Sequence, residues 1–264
     1  MTDLLIDGFP PTDGDLHYLA AVNYGAYPSF RLEDGGVRGL DLHLARLDAS
    51  AIELFGEPLG EARLRDLIRK AVADRRDAWL RVSLFAPEIL PRSPSAEVRP
   101  RVMIGVSPSP SPLATSVRAQ VRTYVRAEAH IKHTAIFPLI RARRLARQAG
   151  FDDALFADAD GLISEGATWN IGFLSGDTVT WPEAPMLHGV AKALISSRLA
   201  EVGLTQGSAP IRLADLAAFD AAFLCNSATP ACPITTIGDR VFDAAPARIE
   251  RIAKAWASNP IQAI

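Results

Sequence analysis

The stretch Ile163-Ser164-Glu165-Gly166-Ala167-Thr168-Trp169-Asn170-Ile171 lies between two hairpin signals. Upstream, Ala154-Leu155-Phe156-Ala157 and Leu162-Ile163-Ser164 flank Asp158-Ala159-Asp160-Gly161, a polar turn ending in glycine, so this segment reads as a β-hairpin. Downstream, Trp169 to Leu174 and Thr178 to Trp181 flank Ser175-Gly176-Asp177 and predict a second hairpin. Glu165 then falls at the end of a strand, and Asn170 inside an otherwise apolar one. Around these hairpins the pattern changes. Leu139 to Gln148 predicts an arginine-rich helix stopped by Gly150, Val190 to Val202 a helix opening just after Gly189, Asp220 to Cys225 a short apolar strand, and Ala245 to Ala257 a closing helix.

Further upstream, Val117 to Arg126 alternates well enough for a half-exposed strand. Before it, Ser107-Pro108-Ser109-Pro110-Ser111-Pro112-Leu113 cannot form helix and lacks ladder donors, so it reads as a linker. On its N-terminal side, Leu44, Leu47, Ala51 and Leu54 recur at helical spacing within Asp41 to Phe55, and Leu64, Leu67, Ile68 and Val72 within Glu61 to Ala73. Trp79 to Phe85 and Arg101 to Val106 read as strands, and Ala20 to Tyr27 as strand or loop. Strand runs and helices are segregated, which predicts an α+β fold. The expected organisation is a small N-terminal domain over residues 1–107, a linker over 108–116 and a larger C-terminal domain over 117–264.

Of the 264 residues, 48% are hydrophobic and 22% charged, a globular composition. The net charge of −2, with arginines scattered along the chain, gives no basic stripe and argues against a dedicated nucleic-acid binder. The start Met1-Thr2-Asp3-Leu4-Leu5-Ile6-Asp7-Gly8 does not read as a secretory signal, and no stretch has the length of a membrane span. A cytoplasmic chain is expected, with Cys225 and Cys232 as reduced, buried thiols and no metal site. Nucleotide loops of the Gly-x-Gly-x-x-Gly or P-loop kind and a Gly-x-Ser-x-Gly hydrolase elbow are lacking.

What chemistry remains centres on Lys132, one of four lysines against twenty-four arginines, in Glu128-Ala129-His130-Ile131-Lys132-His133-Thr134 past the strand. A lysine mounted there can serve as a nucleophilic amine. Glu165, if it points inward from its strand, needs a proton or cation, which a pyridinium N–H provides. Gly189 would leave the N–H groups of Val190 and Ala191 free at a helix start, a place for phosphate. Ser227 and Thr229, in Asn226-Ser227-Ala228-Thr229, add hydroxyls after a strand, or else form a Ser/Thr turn before Pro230. Arg46, on the first amphipathic helix, either snorkels to solvent or reaches a phosphate dianion. Lysine, carboxylate, helix start and hydroxyl turn, in that order, suit pyridoxal phosphate.

Together these stretches resemble the class IV aminotransferases, the fold-type IV pyridoxal phosphate enzymes, which include branched-chain and D-amino acid aminotransferases and aminodeoxychorismate lyases. The matching elements are Tyr24-Gly25, His43-Leu44-Ala45-Arg46-Leu47, His130-Ile131-Lys132, Gly150 to Phe156, Ile163 to Ile171, Leu187-His188-Gly189-Val190 and Asn226 to Thr229, in family order over nearly the whole chain. The resemblance implies a small α/β sandwich domain, a larger domain with a barrel-like sheet, pyridoxal 5'-phosphate between them, and a homodimer. Lys132 would bind the cofactor covalently and shuttle a proton. Glu165 would pair with the ring nitrogen. Arg46, Gly189, Val190, Ala191, Ser227 and Ala228 would hold the phosphate, with Asn170 also at the cofactor.

Tyr24, Ser29, Arg81, Phe137 and Thr229 are candidates for the substrate side. Arg81 would receive a carboxylate or else face outward from its strand. Phe137 stands where many relatives carry a tyrosine that bonds the cofactor hydroxyl, and Ala191 where branched-chain enzymes often carry a threonine. Transamination is the leading expectation, a β-elimination lyase on the same scaffold the second, and a non-catalytic pyridoxal phosphate binder or structural homodimer the third.

Overall fold

The computed structural model describes residues 3–95 and 97–264, in two compact units. The first runs to Pro110 and takes in Ile131–Ala135 and Pro260–Ile264; the second comprises Ser111–His130 and Ile136–Asn259. The backbone around Lys132 therefore belongs to the first unit, although the sequence reading grouped it with the residues after the proline stretch.

The first unit contains β1 (Asp3–Ile6), α1 (Asp13–Ala21), β2 (Ser29–Leu32), β3 (Gly36–Arg38), α2 (Leu40–Phe55), α3 (Glu61–Val72), β4 (Ala78–Phe85) and β5 (Arg101–Ser107). Four of its strands form a sheet in the order β1-β5-β4-β2, and β3 pairs antiparallel with the closing strand Ile261–Ala263. Alternation along β4 sends Leu80, Val82 and Leu84 into the core and places Arg81 on the other face. Leu44, Leu47 and Ala51 of α2 and Leu64 and Ile68 of α3 join the same core, each at most 2% exposed. Full burial of such a leucine or isoleucine contributes roughly 1.5–3 kcal/mol.

Helix α1 covers a stretch for which the sequence predicts no element; of Ala20 to Tyr27 it takes only the first two residues, and the rest is loop with a bridge at Ala26. Its apolar periodicity is weak. A capping box starts it instead: Thr12 accepts from the Asp15 N–H, and Asp15 accepts from the Thr12 N–H and hydroxyl.

The second unit carries β6 (Val117–Thr123), α4 (Phe137–Gln148), β7 (Asp153–Ala157), β8 (Ile163–Gly166), β9 (Asn170–Ser175), β10 (Thr178–Pro182), α5 (Val190–Ser196), β11 (Thr205–Ala209), β12 (Ala221–Cys225), β13 (Cys232–Ile237), β14 (Arg240–Val241) and α6 (Pro246–Ala257). Its strands form one mixed sheet in the order β11-β10-β9-β12-β13-β6-β7-β8, with β14 on β13, curled into a half-barrel. The architecture is α+β, with both expected hairpins in place.

Two elements are shorter than their patterns. The strand from Val117 stops at Thr123 rather than Arg126, so Lys132 lies well beyond a strand end, in a bridge segment. The helix expected over Val190 to Val202 ends at Ser196 and resumes only as a 3-10 turn at Leu199–Val202. Ser197 supplies the reason: its hydroxyl donates to the Leu194 carbonyl and so competes with helical backbone bonding.

Cys225 and Cys232 are buried free thiols. Burial pushes the first up to about 12 and the second to about 11. Among the described residues no helix is long and apolar enough to cross a membrane.

Candidate active site

In the first unit, the Lys132 segment is pinned by backbone bonds. The Tyr27 N–H donates to the Lys132 carbonyl at 2.9 Å, the Thr134 N–H to the Gly25 carbonyl at 2.8 Å, and Ala26 bridges His133. The lysine side chain is half-buried, with Nζ 5.1 Å from the centre of the Tyr27 ring. The same ring carries the Arg81 guanidinium at 3.4 Å, whose Nε donates to the Ser83 hydroxyl at 3.3 Å. Ser29 lies opposite Arg81 in the β2–β4 register. Lys132, Arg81 and Ser29 are thus gathered around Tyr27, a residue that the sequence reading noted without giving it a role. The bridge between Ala26 and His133 joins segments about a hundred residues apart, and no local pattern announces it.

Helix α2 presents half-buried Arg46 one turn from His43. His43 is buried against Phe30, ring centres 4.8 Å apart. Burial, then the charges of Arg46 and Lys132, push its imidazole well below its ordinary value, so it is neutral near pH 7.

Tyr24, a candidate for the substrate side, also has a structural contact. Its hydroxyl donates to the Leu54 carbonyl at 3.1 Å and its ring packs edge-on against Phe55, so it secures the end of α2.

In the second unit, Glu165 on β8 is 3% exposed. Its Oε2 accepts from the Leu187 N–H at 3.3 Å, and its Oε1 lies 3.6 Å from Nη1 of Arg126, whose side chain is 5% exposed. Arg126 is a site residue that the sequence reading missed. Arginine is rarely this buried without a charged partner, but its neighbour is 39 positions away in sequence. The glycine after Glu165 is required: a β-carbon at 166 would meet the Trp169 ring at 2.0 Å.

Asn170, buried at the start of β9, donates through Nδ2 to the Leu187 carbonyl at 2.9 Å. Leu187 leads to Gly189 and α5, whose first N–H groups, those of Val190 and Ala191, lack helical acceptors by geometry. The Asn226–Thr229 turn adjoins the same motif, since Asn226 Nδ2 donates to the Thr168 carbonyl at 3.2 Å. Glu165, Asn170, Gly189, Val190, Ala191 and Ser227 are therefore connected within one unit.

Two candidates in the turn carry bonds within the protein. The Ala228 N–H donates to Asn226 Oδ1 at 2.9 Å, which leaves Ser227 as the residue of the pair able to reach an anion. Thr229 is 2% exposed, its N–H donates to the same Oδ1 and its hydroxyl accepts from the Leu113 N–H at 3.0 Å, so it braces the turn. Phe137 opens α4 and is 71% exposed, with no hydroxyl to offer.

A lysine amine sharing a tyrosine ring with a guanidinium in one unit, and a buried carboxylate tied to a helix start and a hydroxyl turn in the other, is a donor set with few uses. Comparison with known proteins agrees with it. The family described as amino-transferase class IV matches residues 25–237. A putative branched-chain-amino-acid aminotransferase of Methanocaldococcus jannaschii is 26% identical over 231 residues, 83% of this chain and 80% of that protein. A D-alanine aminotransferase of Bacillus licheniformis is 23% identical over 253 residues, 90% and 87% of the two chains. The branched-chain aminotransferase of Thermoproteus uzoniensis, solved with norvaline, superposes with a TM-score of 0.83 at 22% identity, covering 96% of this chain and 92% of its own. The fold is also that of a hypothetical aminotransferase from Mycobacterium tuberculosis in its PLP-bound form, TM-score 0.81, 21% identical, covering 98% and 100%. With most of its length matched by the family and its fold shared with those structures, the chain belongs to the class IV aminotransferases.

Proposed function

We propose that this chain is a pyridoxal 5'-phosphate-dependent aminotransferase that moves an amino group between an amino acid or amine and a 2-keto acid by a ping-pong route. The observation that carries this reading is Glu165, a carboxylate buried in a sheet and held by a backbone N–H and a guanidinium, within the span matched by the family. When bound, the cofactor supplies an aldehyde for amine exchange and a ring that draws electron density from the substrate carbon.

Lys132 is the amine that holds it covalently and then moves a proton at the substrate carbon. Glu165 holds a proton on the ring nitrogen, a buried anion matched to a developing cation. Arg46, the N–H groups of Val190 and Ala191, and Ser227 bind the phosphate. Arg81, flat on Tyr27 with Ser29 opposite, receives the substrate carboxylate. Phe137 cannot donate a hydrogen bond to the cofactor hydroxyl as a tyrosine would. The working form is a cytosolic homodimer, which sedimentation of the purified protein and fractionation of cells would check.

The test is a panel of L- and D-amino acids and simple amines offered to the purified, cofactor-loaded protein, with the visible absorbance of the lysine-bound cofactor followed throughout. Loss of the band with formation of pyridoxamine phosphate is the expected result. Lys132→Ala is expected to lack the band and to lose about 10⁴-fold in turnover. A band that persists in that variant overturns the assignment of Lys132, and pyruvate release from aminodeoxychorismate without an amino acceptor makes the enzyme a lyase instead.

A further inference from the structure

The sequence suggested that Asn170 touches the cofactor; in the fold its amide nitrogen bonds protein and its oxygen lies beside Gly189. Asn170 is 4% exposed, its Nδ2 donates to the Leu187 carbonyl at 2.9 Å and lies 3.8 Å from the Met186 sulfur. Its Oδ1 occupies the space beside Gly189: a β-carbon at 189 would sit 2.0 Å from it, so only glycine leaves the amide in place. Leu187 is gripped from two sides. Asn170 takes its carbonyl, and its N–H donates to Glu165 Oε2.

That second bond, at 3.3 Å, is long for N–H to oxygen, so its direction depends on how firmly Leu187 is held. The other carboxylate oxygen faces Arg126, which pulls Glu165 the opposite way. We propose that Asn170 is a positioning residue for Glu165: by fixing Leu187 it fixes the N–H that keeps the carboxylate turned away from a full pairing with Arg126. The proposal rests on the reading of Glu165 as the partner of the ring nitrogen. It gives Gly189 a second duty besides opening α5, because a side chain there displaces the Asn170 amide.

The test is a double-mutant cycle read in cofactor binding. Pyridoxal phosphate is titrated by fluorescence into apoprotein of the wild type, Asn170→Ala, Gly189→Ala, Glu165→Gln and the Asn170→Ala/Glu165→Gln and Asn170→Ala/Gly189→Ala pairs. Visible spectra of the loaded forms and thermal unfolding of the apo forms accompany the titrations. Asn170→Ala is expected to weaken binding about tenfold, the loss of one well-made buried hydrogen bond. Gly189→Ala is expected to match it, and each double variant to bind no more weakly than its worse parent, since all act on one linkage.

Losses that multiply in Asn170→Ala/Glu165→Gln overturn the proposal, because Asn170 would then act independently of the carboxylate. Unchanged affinity in Asn170→Ala overturns it too. If Asn170→Ala fails to fold, a Gly189→Ala/Glu165→Gln pair prepared alongside decides: losses that multiply there overturn the proposal. A wild-type chain that binds no pyridoxal phosphate overturns the cofactor reading itself, which is visible before any variant is made.

Discussion

The two units hold their charged groups in opposite ways. In the second unit Glu165 and Arg126 are both almost fully buried, and two hydrogen bonds run from Glu165 through the Leu187 backbone to Asn170. In the first unit Lys132 and Arg81 lie half-buried, both against the ring of Tyr27. Buried, hydrogen-bonded polar groups are costly to disturb, whereas a guanidinium over an aromatic face can change partners at small cost. The difference teaches a division of labour. A cofactor ring that keeps one position through the cycle suits the rigid set, and an amine that exchanges covalent partners beside an arginine that meets incoming substrates suits the adaptable one.

Arg126→Met breaks the rigid set most directly, because it leaves the buried carboxylate without its guanidinium. A loss of about 3–5 kcal/mol in unfolding free energy is expected, measured by chemical denaturation of the apoprotein. Arg126→Met/Glu165→Gln should recover a large part of that loss. A single variant as stable as the wild type would show that the pair does not set the stability of this unit.

The adaptable set should answer in kinetics instead. Arg81→Gln is expected to raise KM for carboxylate-bearing substrates by roughly 10- to 100-fold, the worth of one charge-assisted hydrogen bond, while leaving the melting temperature nearly unchanged. An equal loss for simple amines, which carry no carboxylate, would make Arg81 an ordinary strand residue.

His43 sharpens the comparison most gently. Its folded value is depressed below the ordinary 6.5, so the unfolded chain takes up a proton that the folded chain refuses. Its contribution to stability is complete above pH 6.5 and is lost as pH falls below it, at about 1.4 kcal/mol per pH unit. His43→Gln should flatten the pH dependence of stability below 6.5 by about that slope, read from denaturation curves at several pH values.

Much of this molecule was legible in advance where a residue's partners are its sequence neighbours. The apolar spacing of Leu44, Leu47 and Ala51, and of Leu64 and Ile68, gave α2 and α3, and the polar turn ending at Gly161 gave the β7–β8 hairpin. Helix α1 was missed because its start depends on a capping box, and it buries only Asp15 and Tyr18. At the site, the motif around Glu165 was readable as a motif, but the roles of its members were not. Thr229 and Asn170 both carry groups suited to a ligand. Only the fold decides that one is spent on Leu113 and the other on Leu187. The roles of Tyr27 and Arg126 were unreadable for the same reason, since their partners come from distant parts of the chain.

The buried cysteines have a practical consequence. With Cys225 and Cys232 shielded from solvent and their thiols pushed to about 12 and 11, almost no thiolate exists at neutral pH for a maleimide to attack. The natural sequence therefore serves as its own background for site-specific labelling. A single cysteine introduced on the surface of either unit would carry a fluorophore or spin label, and the two units could be followed through turnover without first removing a native thiol.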